Sequence, residues 1–315
     1  MNQIQPDFLR RFPPNERYLV GLSGGRDSVA LLHWLLEAGY QKLIACHLNH
    51  HLRGRASGAD ARFVQKLVDR YDVNLVVGSA NVRALATKQK MSIEAAGREA
   101  RYKFFARVAK RRRLRAIFLA HHADDVVETF LINLFRGSGP TGLAAIREVS
   151  KRRIDGVDLT IVRPFVGLWR WQIDDYVRKH RLKFREDSSN TDLALFRNRV
   201  RRRIIPYLEK AIGRNIRQSI WRAAVIAAEE ENWIETQLPN TTGTELSVLE
   251  LRKLPVALQR REIVKWLRER KIANVGFDVV ENVRALLDPD SRTAKANLPQ
   301  GRHVRRRAKK IFITD

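Results

Sequence analysis

The sequence predicts an α/β chain: a Rossmann-like parallel sheet with helices on both faces, followed by a smaller, mainly helical C-terminal domain. Three observations carry this expectation. Short apolar, β-branched segments alternate with amphipathic helical stretches through the first half of the chain. The alternation stops near residue 213. A glycine-rich hexapeptide, Ser23-Gly24-Gly25-Arg26-Asp27-Ser28, joins the first strand to the first helix. In an open parallel sheet, the crevice outside the carboxyl ends of the strands is where ligands bind.

Residues 18–22 (YLVGL) are short and rich in branched side chains, as a buried strand requires, and Val29, Leu31, Leu32, Leu35 and Leu36 fit one helical face. Further strands are expected at 42–48, 73–78 and 114–120, with helices at 59–71, 93–111 and 124–136 between and after them. Beyond Gly213 come a long helical pattern at 215–238, a break at LPNTTGTE, helices around 255–270 and 277–287, and a short basic β-like tail at 292–314. The expected domains are therefore 1–212 and 213–315, and no internal repeat argues for a solenoid.

A chain of 315 residues with 44% hydrophobic content can bury a proper core. No run approaches the ~18 uncharged apolar residues of a membrane span, and the sequence opens without a basic region leading into an apolar core, so the cytoplasm is the expected compartment. The single cysteine, Cys46, excludes an internal disulfide, a Cys-x-x-Cys redox pair and a cysteine-only zinc site. The net charge of +26 exceeds what solubility asks for, and like charges at that density oppose compaction unless a polyanion shares the surface. The basic residues cluster at 107–115, 151–153, 197–203 and 305–310. Nucleic acid is the expected partner.

In the hexapeptide, Gly24 and Gly25 allow positive φ and close backbone approach, while Ser23 and Ser28 bring hydroxyls beside the N–H groups that open the helix. Such a nest suits a phosphate or diphosphate, a capped turn being the plainer alternative. The pattern lacks the Gly-Lys-Ser/Thr ending of a Walker A loop and the spacing of a dinucleotide fingerprint. Asp27 beside phosphates calls for a metal ion between them, Mg²⁺ by chemistry.

SGGRDS resembles the SGGxDS diphosphate loop of the N-type ATP pyrophosphatases, an adenine nucleotide alpha hydrolase-like fold whose members cleave ATP between the α and β phosphates. Four further segments, CHLNHHLRG (46–54), EAAGREARYKFF (94–105), AHHADDVVETFLINLFRGSGPTGL (120–143) and REDSSNTDLALFRNRVRRRIIPYL (185–208), are together similar to the tRNA(Ile)-lysidine synthetase family. The match runs in order over roughly two thirds of the chain.

The resemblance implies an enzyme that joins free L-lysine to C2 of the wobble cytidine of tRNA(Ile) with the anticodon CAU, releasing AMP and diphosphate and changing decoding from AUG to AUA. Cytosine O2 first attacks the α-phosphate of ATP; the lysine amine then attacks C2 and displaces AMP. On that footing Ser23, Gly24, Gly25, Arg26, Asp27 and Ser28 cradle the nucleotide, with Asp27 also holding Mg²⁺. Arg101 contacts ATP, adenine rests near Cys46, His47 and Leu48, and Arg136 and Gly137 in the RGSG loop close over nucleotide or base. A helix C-cap would give that loop the same look. Asp125 and Glu128, three apart on a helix, are expected to grip the lysine ammonium, and His121 to face the reacting phosphate or base. His122 and Asp124 stay open between site and scaffold. Arg197, Arg199, Arg201, Arg202 and Arg203 are expected to face tRNA or the C-terminal domain.

The His-x-x-His spacing of His47 and His50, with His51 and Arg53 following, lacks third and fourth ligands for zinc. A thiolase of the same superfamily would need cysteines that this chain lacks, and an amidotransferase-type synthetase would not explain the charge. A non-catalytic basic RNA-binding protein would leave Asp27, Asp125 and Glu128 without purpose. A homodimer is compatible with these features, which set no oligomeric state.

Overall fold

The strand and helix alternation builds a six-stranded sheet in the computed structural model, which describes residues 6–50, 55–186, 192–239, 243–290 and 293–314. The strands are β1 (Tyr18–Gly21), β2 (Leu43–Asn49), β3 (Asn74–Ser79), β4 (Ala116–Phe118), β5 (Val149–Ile154) and β6 (Val157–Val162), in the order β3-β2-β1-β4-β6-β5. All pairings are parallel except that of β5 with β6. The helices of this part are α1 (Pro6–Arg11), α2 (Arg26–Glu37), α3 (Arg55–Arg70), α4 (Val82–Gln89), α5 (Ile93–Arg112), α6 (Ala123–Phe135), α7 (Pro140–Leu143), α8 (Arg170–Lys179), α9 (Phe196–Arg199) and α10 (Ile205–Ile212), the last two joined by a π-helical turn, Val200–Ile204.

Because successive strand residues point to opposite faces, Leu19 and Val20 on β1 enter two different cores, both fully buried. Val20 joins Leu31, Leu35, Phe118 and Ile173 under α2 and α8, whereas Leu19 joins Ile44, Phe105 and Ile117 under α5. From β1 the chain steps to β2 and β3 on one side, then crosses back to β4 on the other. The loops after β1 and β4 therefore diverge and leave a crevice at this switch point. Both sequence motifs, SGGRDS and HHADD, end up there.

The expected strands are all present, but the hairpin β5–β6 was not foreseen. Its turn, Asp155-Gly156, has φ of 48° and 78° at its two residues, the primed-turn geometry that Asp-Gly favours. Lys151, Arg152 and Arg153 make β5 a charged edge, which discourages pairing with another sheet.

The C-terminal unit contains the end of α11 (Arg217–Gln237), then α12 (Val248–Lys253), α13 (Val256–Glu269) and α14 (Phe277–Arg284), with a four-stranded antiparallel sheet ordered β7-β10-β9-β8. Its strands are β7 (Leu246–Ser247), β8 (Lys295–Asn297), β9 (His303–Arg307) and β10 (Lys310–Thr314), so the basic tail is indeed β structure. Leu251, Ile263, Trp266, Leu286, Val304 and Ile311 form its core. The division between the two compact units lies at Ile226/Ala227, inside α11, and not at the expected 212/213. Gly213 only caps α10, and Ile220, Trp221 and Ala224 of the following helix pack into cores of the first unit.

Gly78 on β3 lies against the ring of Phe104, and a Cβ there would come within 2.5 Å of it. Gly78→Ala is expected to lower stability by about 1–3 kcal/mol, seen as a lower urea midpoint at unchanged slope. An unchanged midpoint would mean that Phe104 yields freely.

Candidate active site

At the switch point lies a cavity of about 740 Å³. Its floor is the loop after β1. Gly24 adopts φ of +85°, and a Cβ on it would meet Val64 at 3.2 Å, so both conformation and space call for glycine. Gly25 takes the N-cap position of α2 with no side chain capping it. The two serines close the loop on itself: the Ser23 N–H donates to Ser28 Oγ (3.2 Å), the Gly25 N–H donates to Ser23 Oγ (3.2 Å), and the hydroxyls of the two serines lie 3.0 Å apart. The loop is thus shaped before any ligand arrives, with the positive end of a three-turn helix behind it.

Asp27, at the start of α2, faces the cavity, and its buried Oδ1 has no hydrogen-bond partner among the described residues. Burial pushes its carboxyl above the usual range, against the pull of His122 and Arg170. An unpartnered buried carboxylate oxygen beside a phosphate-shaped loop is the donor that a magnesium ion shared with phosphates would use. No cluster of three or more His, Cys, Asp or Glu side chains that could hold a metal by protein ligands alone occurs among the described residues.

His121, directly after β4, lines the cavity with its Nδ1 buried and unpartnered. Burial first, then Arg163, Arg197 and Arg98, press its pKa down to about 3 against the opposing effect of Asp125. His50 on the facing wall is likewise pushed down to about 4 by burial, Arg101 and His47. Both rings are neutral at physiological pH and can exchange hydrogen bonds without bringing charge. Arg101 opens into the cavity and makes no ion pair or hydrogen bond among the described residues. Cys46, His47 and Leu48 line the wall as expected, but the His47 ring binds the Leu22 carbonyl (2.9 Å) and burial pushes the Cys46 thiol up to about 12. Cys46 is a packed residue and no nucleophile.

Other expected residues stand elsewhere. Arg26 lines the cavity, yet its guanidinium is taken by Asp174 and stacks 5.0 Å over Phe184. Arg136 and Gly137 sit at the far end of α6, about 20 Å along the helix from His121. Gly137, next after the Arg136 C-cap, has φ of +72° and its N–H donates to the Leu134 carbonyl, so it closes the helix end and does not line the cavity.

The acidic pair departs most from expectation. Glu128 is fully buried and accepts from Arg197 Nε at 2.8 Å and from Arg201 Nε and Nη2. Asp125 Oδ1 accepts from Arg197 Nη2 at 3.0 Å, and its Oδ2 accepts from the His122 N–H at 3.0 Å. Burial acts upward on Asp125, but the charges of His122 and Arg197 outweigh it and hold the carboxyl well below the usual range. Neither acid lines the cavity, because buried carboxylates require partners and two guanidiniums, Arg197 of α9 and Arg201 of the π-helical turn, lie within reach. Two of the five arginines expected to face tRNA are therefore turned inward, and Arg199 donates to the carbonyls of Leu193 and Ala194. Arg202 reaches the cavity rim and Arg203 is exposed. Asp124 is scaffold: it accepts from the Arg170 N–H of α8 and pairs with Arg217 of α11, each at 3.0 Å. His122 is buried among Asp27, Asp124 and Asp125 at 3.6–3.8 Å. His51, Arg53 and residues 187–191 lie outside the described residues.

Sequence reasoning missed Arg83, Arg98 and Arg170 in the cavity wall, and Tyr102, whose ring carries Arg98 at 5.4 Å and Arg152 at 4.6 Å. Arg98, one helical turn before Arg101, could have been found from that spacing; Arg83 and Arg170 carry no such signal.

Comparison with known proteins adds to this geometry. Residues 2–208 match a family described as a PP-loop domain, and residues 246–312 one described as a TilS substrate binding domain. The chain is 36% identical over 303 residues to the tRNA(Ile)-lysidine synthase of Geobacter sulfurreducens, covering 92% of this chain and 63% of that protein. It is 33% identical over 303 residues to the enzyme of the same name from Thermosynechococcus vestitus, covering 93% of this chain and 85% of that one. Among solved structures it is similar in fold to the U34-tRNA thiolase NcsA from Methanococcus maripaludis, with a TM-score of 0.54 and 20% identity over 68% of this chain and 72% of that one.

Glu128→Gln is expected to destabilise the protein by about 3–5 kcal/mol, since it leaves two inward guanidiniums short of their carboxylate. A chemical-denaturation midpoint equal to that of the parent would mean that the pairs carry no structural weight. The neutral histidines set a pH dependence. Both folded-state values lie below the ordinary 6.5, so the unfolded chain binds more protons and stability falls as pH drops below that value toward about 4 and about 3. His121→Asn is expected to flatten the fall in unfolding free energy between about pH 6 and pH 4; an unaltered slope would contradict a neutral, buried ring.

Proposed function

Because the chain belongs to the tRNA(Ile)-lysidine synthase family, we propose that it joins free L-lysine to C2 of the wobble cytidine of tRNA(Ile) bearing CAU, converting ATP to AMP and diphosphate. The observation that carries the nucleotide half is the preshaped Ser23–Ser28 loop at the foot of the cavity, with the unpartnered Asp27 oxygen beside it.

On this reading the loop N–H groups and serine hydroxyls hold the β and γ phosphates, so that diphosphate departs from a site already complementary to its charge. Asp27, with its unpartnered oxygen, would hold a magnesium ion, which would supply neutralising charge to the leaving group. Arg98 and Arg101 meet the α-phosphate as cytosine O2 attacks it, forming the O–P bond and breaking the bond to diphosphate. His121, neutral, orients the base or a phosphate oxygen by a hydrogen bond. The lysine amine, after losing its proton, attacks C2 and displaces AMP.

Asp125 and Glu128, three apart on one face of α6, remain the proposed ammonium site, which lysine would enter by displacing the Arg197 guanidinium that now bonds to both. Residues 246–312 are the proposed tRNA-holding part, in keeping with the description of the family they match and with the basic strand HVRRR. No helix among the described residues is long and apolar enough to cross a membrane, and the cytoplasm is the proposed setting.

The test is incubation with ATP, Mg²⁺, labelled lysine and tRNA(Ile) bearing CAU, with a methionine tRNA of the same anticodon alongside. Label is expected in the isoleucine tRNA only. Diphosphate release without lysine transfer would remove the lysine assignment. Asp27→Asn is expected to slow diphosphate release by about 100-fold or more, and retention of the parental rate would remove Asp27 from the reaction.

A further inference from the structure

We propose that the groove between the edge strand β3 and helix α5 is a second RNA contact, one that receives the sugar–phosphate backbone of the substrate outside the catalytic cavity. This rests on the reading of the substrate as a tRNA.

The groove encloses about 310 Å³. Its floor is apolar, formed by Phe104, Val108 and the half-exposed Val77, and its rim carries Lys103, Arg107, Arg111 and Arg112 with no carboxylate among the lining residues. Lys103, Arg107 and Arg111 stand four apart, so they form one ridge of α5 about 12 Å long. Lys103 is paired with Glu99 at 2.7 Å, but Arg107, Arg111 and Arg112 make no ion pair or hydrogen bond among the described residues. Lys110, Arg113 and Arg115 extend the exposed positive field beyond the last turn.

The helix dipole welcomes cations in that last turn. It does not account for Arg107, one turn earlier, and like charges four apart on a helix repel each other. The free protein thus holds an unfavourable row of charge that a polyanion would relieve. A bare anion would find no use for the apolar floor, whereas a nucleotide chain presents ribose and base faces along with its phosphates. Continuity names the polyanion. Leu48, at the end of β2, lines both this groove and the catalytic cavity, so a strand whose target base enters the cavity can continue along the groove.

The experiment compares tRNA affinity of the full chain carrying Arg107→Glu with Arg111→Glu against the chain carrying Lys151→Glu with Arg153→Glu, the same charge change on the opposite edge strand β5. The α5 pair is expected to weaken tRNA binding at least about tenfold more than the β5 pair and to give a shallower salt dependence, with ATP affinity unchanged. Equal losses from the two pairs would reduce the effect to bulk charge and overturn the proposal. Arg107→Gln with Arg111→Gln repeats the measurement without charge reversal, and a melting temperature equal to that of the parent certifies the fold. Loss of RNA affinity together with absent lysine transfer in the parent would uphold the groove while sinking the lysidine reading. Unchanged affinity in both α5 variants would sink the groove alone.

Discussion

The first two turns of α6 must seat three carboxylates where water scarcely reaches, and much of the first unit is arranged to let them do so. Asp124 draws in the N-terminus of α8 and the first turn of α11, Asp125 closes on the His122 N–H, and Glu128 takes two guanidiniums, Arg197 from α9 and Arg201 from the π-helical turn after it. A buried carboxylate without such partners would cost several kcal/mol or give up its charge. The pairs thus work as ties between elements far apart in sequence. They also turn Arg197 and Arg201 inward, while Arg202, the next residue along the π-helical turn, lines the cavity.

That network borders the cavity through His122, which lies between the α6 acids and Asp27. The two sides of this histidine are treated differently. Toward α6 every carboxylate is matched, and Asp125 is held strongly acidic. Toward the cavity Asp27 keeps an unmatched oxygen and a raised pKa, and His121 and His50 are kept neutral. Unsatisfied polar groups of this kind are costly to a fold, and their concentration around one cavity marks where a ligand completes the structure.

The sheet, its switch point and the SGGRDS turn were legible because each depends on local pattern: β-branched runs, helical periodicity, and glycines where φ must be positive. The Asp155-Gly156 hairpin is equally legible, from its turn dipeptide. The clamp of Glu128 by Arg197 and Arg201 was not. Spacing in α6 correctly put Asp125 and Glu128 on one face, but no local rule says what that face meets. Here it meets arginines some 70 residues away, Arg197 on α9 and Arg201 in the π turn that follows, and no periodicity links segments so far apart in sequence. The division into compact units at Ile226/Ala227 differs from the expected boundary for a related reason. Gly213 ends a helix, yet burial of Ile220, Trp221 and Ala224 carries the first unit further into α11.

The excess of positive charge can now be divided by what each arginine touches. Some of it is internal and already neutralised, as at Arg197, Arg201 and Arg217. Some lines the cavity, where Arg98 and Arg101 have no carboxylate of their own within pairing distance among the described residues. The remainder stands on surfaces such as the end of α5. Only the last two groups are placed to act on a ligand, and they would act differently. Charges in the enclosed cavity are worth more per contact because the local dielectric is low, whereas those on α5 are screened beyond about 8–10 Å at ordinary salt and matter only to a partner that lies against them. A net charge of +26 is therefore a poor measure of affinity for an anion. What counts is how many of those charges the fold has left without a partner, and whether they share one continuous path with the cavity.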